Sequence, residues 1–251
     1  MHPNNGSWER WRFVGGTGLL GITPSADGTM LVCDADKGLL RVGEEGVTLL
    51  ASEVEGSPHQ VRIASQPKFR MKSHPDFSHH ARDRAPPAGP SAARFADAAI
   101  EASDGTVYFS DASTRFGFDR WYHDFIEASA TGRLLRYDPR SGETSVVLDR
   151  LGFANGVALP RDEAFVVVCE STRTNQLWAI KTRRFRCMKV WLKGEKAGTA
   201  ETFVDLPGNP DNIRLGSDGH FWIALIQVTG SRFTSHIIHC AVLIPTASII
   251  T

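Results

Sequence analysis

The fold is decided by a pattern that is clearest in residues 98–111, which read AAIEASDGTVYFSD. A short apolar run at 98–100 is followed by the pair Asp104-Gly105, by a second apolar run at 107–109, and by the acidic Asp111. Asp-Gly between two apolar runs is typical of a tight turn, because Gly and Asp tolerate the positive φ angles that such turns need. The stretch therefore predicts a β-hairpin.

The same pattern returns along the chain and organises it. Further copies span residues 20–34, 156–170 and 212–224, the third of the four copies having Arg161-Asp162 at its turn. Between copies lie two more strand candidates, for example 132–137 and 144–148. Each unit is thus four strands, the number in a propeller blade, and the spacing of about 55 to 60 residues is of the order of a kelch-like period. An all-β propeller with few helices is expected, and a β-sandwich is the alternative.

Composition and charge restrict the function classes. The 251 residues are 41% hydrophobic and carry 28 basic and 28 acidic side chains. A balanced charge gives no field that would attract nucleic acid or an anionic membrane, so small-molecule partners fit better. The apolar tail at 236–251 is too short to span a bilayer, and the chain as written opens without the charged and apolar regions of a signal peptide.

The four cysteines show no metal-ligand spacing, so zinc has little support. Cys33 and Cys169 each lie in an apolar strand-like run, where buried free thiols are expected. Residues 5–7 form an Asn-Gly-Ser sequon, which matters only if the chain enters the secretory pathway.

Two segments interrupt the pattern. Residues 59–93 are rich in His, Pro, Ser and basic side chains and have no apolar period, which predicts a disordered insert. A nucleic-acid-binding arm is the alternative, although no aromatic or basic stripe accompanies the segment. Residues 173–184 similarly interrupt the third unit.

Several runs together resemble the strictosidine synthase-like family over most of residues 8–227. They are WRFVGG at 11–16, RFADA at 94–98, TGRLLRYDP at 131–139, WLKG at 191–194 and DGHFW at 218–222. The resemblance implies a six-bladed β-propeller that holds a substrate or metal at its central channel. It also implies an incomplete ring of about four blades, with blade sequence at 1–58 and 94–227, the insert at 59–93 and a non-family tail at 228–251. Aberrant splicing or gene prediction is the hypothesis that explains the insert and the tail.

Polar residues just ahead of the first apolar run of a unit are expected to face the channel. They are Asp97, Asn155, Asp211 and Asn212. Calcium takes several carboxylate and amide oxygens, which separate blades could supply, whereas turn and strand-end chemistry is the alternative explanation. The runs at 153–157 and 210–213 also resemble the metal-binding segments of paraoxonase and gluconolactonase propellers. Asp97 corresponds less closely, because those relatives usually have Asn at its position.

The resemblance implies a calcium-dependent hydrolase of small esters or lactones, in which the ion polarises the carbonyl and stabilises the oxyanion. A carboxylate from the first blade of the family, which completes the metal shell, has no counterpart here, so activity of the truncated form is in question. One alternative is strictosidine synthesis, the condensation of tryptamine and secologanin in alkaloid biosynthesis, whose catalytic Glu lies beyond the matching sequence. Another is a non-catalytic propeller fragment. Family members enter the secretory route and often reach the vacuole or endoplasmic reticulum.

Two histidines complete the candidate list. His123 lies in an aromatic stretch, 120–125, which is interpreted as a loop that packs on the channel rim or covers the channel as a lid. His220 follows the Asp218-Gly219 turn and is interpreted as structural. The patterns of a serine nucleophile, a dinucleotide site and a P-loop are absent from the sequence.

Overall fold

The computed structural model describes residues 14–15, 18–54, 62–63, 91–93, 95–127, 129–172, 185–228 and 240–245. Within these ranges the regular structure is almost entirely β, as the sequence predicts. The helical part is a 3-10 turn at Phe118–Arg120 that runs into helix α1, Trp121–Glu127. The strands are β1 (Leu19–Pro24), β2 (Met30–Asp34), β3 (Gly38–Gly43), β4 (Gly46–Ala51), β5 (Glu53–Val54), β6 (Arg62–Ile63), β7 (Ser91–Ala92), β8 (Ala96–Glu101), β9 (Val107–Asp111), β10 (Gly132–Tyr137), β11 (Thr144–Leu151), β12 (Ala154–Ala158), β13 (Phe165–Glu170), β14 (Phe185–Trp191), β15 (Thr199–Leu206), β16 (Gly208–Leu215), β17 (His220–Val228) and β18 (Cys240–Pro245).

Consecutive strands pair into antiparallel sheets. The first sheet is β1 to β4, the second β8 to β11, the third β12 to β15, and the fourth β16 to β18. All four predicted hairpins are confirmed as the first two strands of these sheets. The glycines of the three Asp-Gly turns have φ near +80°, and in the third sheet Glu163 takes the left-handed conformation with φ of 52°.

The sheets are arranged as propeller blades. Strand β1 packs against β8, β8 against β12, and β12 against β16, so the first strand of every sheet faces a common axis. Separate apolar clusters fill the spaces between the first and second, second and third, and third and fourth sheets. Arg214 of β16 reaches β1 across the axis and donates to the Ile22 carbonyl at 3.2 Å. The predicted fold class is therefore confirmed, with about four blades represented.

The acidic residue that closes the repeat has a structural role. Asp111 is fully buried, accepts the Phe95 amide proton at 2.9 Å, and accepts the Arg133 guanidinium through its other oxygen. Glu170 does the same in the third sheet, with the Gly152 amide at 2.9 Å and Arg186 at 2.5 Å. Each acid thus links the backbone just before the innermost strand to an arginine of the third strand of the same sheet.

The expectation for Cys169 was wrong, whereas Cys33 is a buried free thiol as predicted. Cys169 forms a disulfide with Cys187, because the register of β13 and β14 places the two residues directly opposite each other with Cα atoms 4.0 Å apart. The two cysteines are 18 positions apart in sequence, so their contact becomes visible only when the two strands are paired. Burial raises the pKa of the Cys33 thiol, which disfavours its thiolate.

The predicted insert and tail are partly described. Strand β5, which precedes segment 59–93, pairs antiparallel with β7 near the end of that segment, while β6 lies parallel to β15 on the outer edge of the third sheet. Strand β18, inside 228–251, is the third strand of the fourth sheet. The rest of 59–93, and the interruption at 173–184, lie outside the described residues, so the disordered insert stays a prediction. Among the described helices, none has the length and apolar character of a bilayer span.

Candidate functional site

Each innermost strand has a β-bulge at the same place, and the candidate residues lie in these bulges. The pairing register shifts between Ala96 and Ala99, between Ala154 and Val157, and between Pro210 and Ile213. A bulge inserts an extra residue and turns a side chain out of the regular alternation. The interrupted positions include Asp97, Asn155, and the pair Asp211 and Asn212.

Glycines let these bulges approach one another. A Cβ atom on Gly156 would lie 2.6 Å from the Asp211 carbonyl oxygen, and one on Gly21 would lie 2.3 Å from the Asp97 carbonyl oxygen. Neither space admits a side chain. The backbones of the site therefore come together because the sequence has glycine at these two positions.

A hydrogen-bonded chain orients the Asn155 amide. Ser171 donates its hydroxyl proton to the Pro210 carbonyl at 2.6 Å, so the same oxygen can only accept from Asn155, whose Nδ2 lies 3.1 Å away. This leaves the Asn155 Oδ1 oxygen buried and without a hydrogen-bond partner. Because a buried unpaired carbonyl oxygen is costly, this atom is available to a ligand, above all to a cation.

Two carboxylates lie in the bulges of the strands that pack against β12, Asp97 on β8 and Asp211 on β16. The pKa of Asp97 is raised from 3.8 to about 7, mainly by burial and to a smaller extent by the negative charge of Asp211. Asp211 directly follows Pro210, whose carbonyl belongs to the Ser171 chain. The Asp211 charge disfavours ionisation of Asp97, and a divalent cation bound near both would offset their negative charges.

The four candidates do not contribute equally. Asn155 is 5% exposed, and Asp97 and Asp211 are half-buried, whereas Asn212 is exposed and lines the channel next to the cluster. The first sheet has Leu20 in the corresponding bulge, so it adds no oxygen there. Among the described residues there is no cluster of three or more His, Cys, Asp or Glu side chains. Asp97, Asp211 and the two asparagines would instead offer carboxylate and amide oxygens, a combination that fits calcium better than zinc.

The same region contains a strained residue. Phe153, two positions before Asn155, has φ of 52°, a conformation that is uncommon for a non-glycine residue. Its ring packs edge-on against Phe95 at 5.3 Å and against Phe125 of α1 at 4.9 Å. Packing therefore holds the strained backbone in place next to the site.

The aromatic stretch at 120–125 is mostly helical, which corrects its interpretation as a loop. Phe125 packs on the cluster around Phe95 and Phe153, as does the neighbouring Phe118, so a packing role is shown for Phe125. His123 stacks on Phe116 at 5.5 Å. His220 lies beside Asp218 of its own turn, with its backbone amide donating to that carboxylate at 3.0 Å, as expected for a structural residue.

Sequence reasoning missed Ser171 and the cavity beside the site. Ser171 follows the acid that ends the third hairpin, but its partners are 16 and 39 residues away, so no local pattern marks it. The cavity, about 320 Å³, is lined by the innermost strands of all four sheets and includes Asn212.

The sheets and their axial polar cluster define the protein as a β-propeller with a candidate cation site on its axis. Residues 97–195 match the strictosidine synthase family model. The chain is 36% identical over 202 residues to strictosidine synthase-like 13 of Arabidopsis thaliana, which covers 79% of this chain and 38% of that protein. It is 33% identical over 232 residues to strictosidine synthase-like 4 of the same plant, covering 91% of this chain and 50% of that protein. The matched part of the chain belongs to the strictosidine synthase-like family.

The chain thus spans half or less of the length of these two relatives. Among solved structures it is similar to a gluconolactonase from Xanthomonas campestris, with a TM-score of 0.49 and 15% identity, over 83% of this chain and 56% of that one.

Proposed function

We propose that this chain is part of a calcium-dependent hydrolase that acts on small esters or lactones. The observation that carries the proposal is the buried, unpartnered Oδ1 of Asn155, on a strand that packs against the strands of Asp97 and Asp211. Three oxygen donors from three different blades would meet there, an arrangement that suits the flexible oxygen coordination of calcium.

The proposed mechanism assigns a distinct task to each side chain. Asn155 would offer a neutral oxygen, and Asp97 and Asp211 would offer two negative charges that balance a divalent ion. Ser171 would hold the Asn155 amide so that its oxygen, not its nitrogen, faces the ion. A bound calcium ion would supply Lewis-acid polarisation of the ester carbonyl. Asn212, exposed on the channel wall, would contact the substrate or complete the ligand set.

Calcium titration and ester hydrolysis test the proposal together. The wild-type chain should bind calcium in isothermal titration and hydrolyse members of a panel of small esters and lactones, and Asn155→Ala should lose both properties. Thr48→Ala is the control, because Thr48 is an exposed polar residue of the outer strand β4, away from the bulges of the innermost strands. Calcium binding that is unchanged in Asn155→Ala would remove the metal role. A condensation product from tryptamine and secologanin in the same panel would support synthase chemistry instead.

The secretory route is the proposed location. It is supported by the disulfide between Cys169 and Cys187, since such bonds persist mainly in oxidising compartments. Mass spectrometry of the native protein after alkylation without reduction should find these two cysteines unmodified and Cys33 alkylated once the chain is unfolded. Alkylation of all three would count against this location.

A further inference from the structure

The channel cavity begins at the candidate metal site and extends toward the hairpin turns. Its wall includes Ala98 and Asn212, which directly follow Asp97 and Asp211, and it continues to Glu101, Arg161 and Leu215 at the far ends of the innermost strands. The two ends of the cavity therefore differ in the side chains that reach them.

The acids at the far end already have partners. Glu101 binds Arg41 at 2.9 Å and accepts the Ala26 amide proton at 3.2 Å. Glu163 accepts both the amide and the hydroxyl proton of Ser103, at 2.7 and 2.8 Å. Their charges are thus met by hydrogen bonds and an ion pair that tie neighbouring turns together.

The arginines at this end have only neutral partners. Arg214 donates to the Ile22 carbonyl at 3.2 Å, and Arg161 donates to the Ser217 carbonyl at 2.5 Å. Within the described residues, no carboxylate lies within 4.0 Å of either guanidinium. The cavity thus has, at its far end, two guanidinium groups that form no ion pair among the described residues, and it has acids next to its other end.

Arg214 is the better placed of the two. It stands two residues after Asn212 on β16, and both residues are exposed and line the cavity. Arg214 is three positions after Asp211, which is roughly 10 Å along an extended strand. The flat guanidinium offers paired donors that match a carboxylate.

We infer that Arg214 binds the carboxylate of an organic anion in this channel, so that the ligand class is an ester or lactone that also carries a carboxylate. The inference rests on the proposed function for the ester group, but the anion contact itself needs no metal. A ligand of a few carbons would place its carbonyl at the candidate metal site and its carboxylate at Arg214.

Two esters with one carbon skeleton test the inference. Monomethyl glutarate carries a carboxylate and dimethyl glutarate does not, so their affinities, measured by isothermal titration in EDTA, isolate the anion contact. The wild-type chain should prefer the monoester by about tenfold, the usual size of one charge-assisted contact. Arg214→Gln should abolish the preference and Arg214→Lys should keep part of it. Arg140→Gln, at an exposed turn outside the cavity, should keep all of it.

An equal affinity of the wild-type chain for both esters would overturn the inference, and so would a preference that survives in Arg214→Gln. If circular dichroism shows that Arg214→Gln does not fold, wild type and Arg214→Lys are measured with and without added salt. A monoester preference that added salt does not change would then overturn the inference. Calcium titration without any ester tests the proposed function separately. Calcium binding without an anion preference would remove only the present inference, and an anion preference without calcium binding would remove only the metal proposal.

Discussion

Ser171→Ala is the change that separates the orientation of Asn155 from its mere presence. The substitution removes a 2.6 Å bond to the Pro210 carbonyl and a 3.1 Å bond from Asn155 Nδ2, both in a buried place. Each buried group left unpaired costs about 1–3 kcal/mol, so we expect the free energy of unfolding to fall by about 2–4 kcal/mol. The Asn155 amide would then be free to rotate and present either its oxygen or its nitrogen to the site.

Ser171→Ala should weaken calcium binding more than a substitution that lowers stability elsewhere in the chain. Groups that orient a metal ligand are worth about 10–100-fold in affinity, so isothermal titration should show a weakening of that size in Ser171→Ala. Ser103→Ala is the control, because it also removes a hydroxyl bond between blades, the one to Glu163 at 2.8 Å, but at the far end of the channel. Ser103→Ala should bind calcium like wild type. If Ser171→Ala binds calcium with wild-type affinity while Asn155→Ala does not bind it, the orienting role is refuted.

Three further changes test the packing and charges around the site. Gly156→Ala places a Cβ atom 2.6 Å from the Asp211 carbonyl oxygen and should lower the free energy of unfolding by about 1–3 kcal/mol in urea titration, whereas a wild-type curve would contradict the close approach. Asp111→Asn removes the carboxylate that pairs with the buried Arg133 and should cost about 3–5 kcal/mol in the same assay; a loss below about 1 kcal/mol would contradict a stabilising role for the pair. Because the pKa of Asp97 is raised from 3.8 to about 7, its neutral form is favoured in the folded chain, so its contribution to stability should fall as pH rises from about 4 to 7. Asp97→Asn should remove that part of the pH dependence of the melting temperature measured in EDTA, and an unchanged profile would contradict it.

The fold was largely predictable because its determinants are local. Each hairpin is encoded within about fifteen residues by a turn pair and two apolar runs, as in 98–111, and repetition of that unit indicates a propeller. The positions of Asp97, Asn155 and Asp211 at the axis follow from the same repeat, since each precedes the first apolar run of its unit.

What the sequence could not predict depends on contacts between distant residues. The bulges are visible only as register shifts between paired strands, and the disulfide of Cys169 depends on the register of β13 against β14. Ser171 acquires its role from Pro210, 39 residues away. Helix α1 was taken for a loop because it has only seven residues, and its stability comes from packing on Phe153 and not from intrinsic propensity.

Diffraction from crystals grown with calcium tests most directly whether three blades share one cation. We expect a single anomalous peak within about 2.3–2.6 Å of Asn155 Oδ1 and of carboxylate oxygens from Asp97 and Asp211. A calcium peak at another position, with Asn155 Oδ1 still lacking any partner, would contradict the proposal that three blades share one cation.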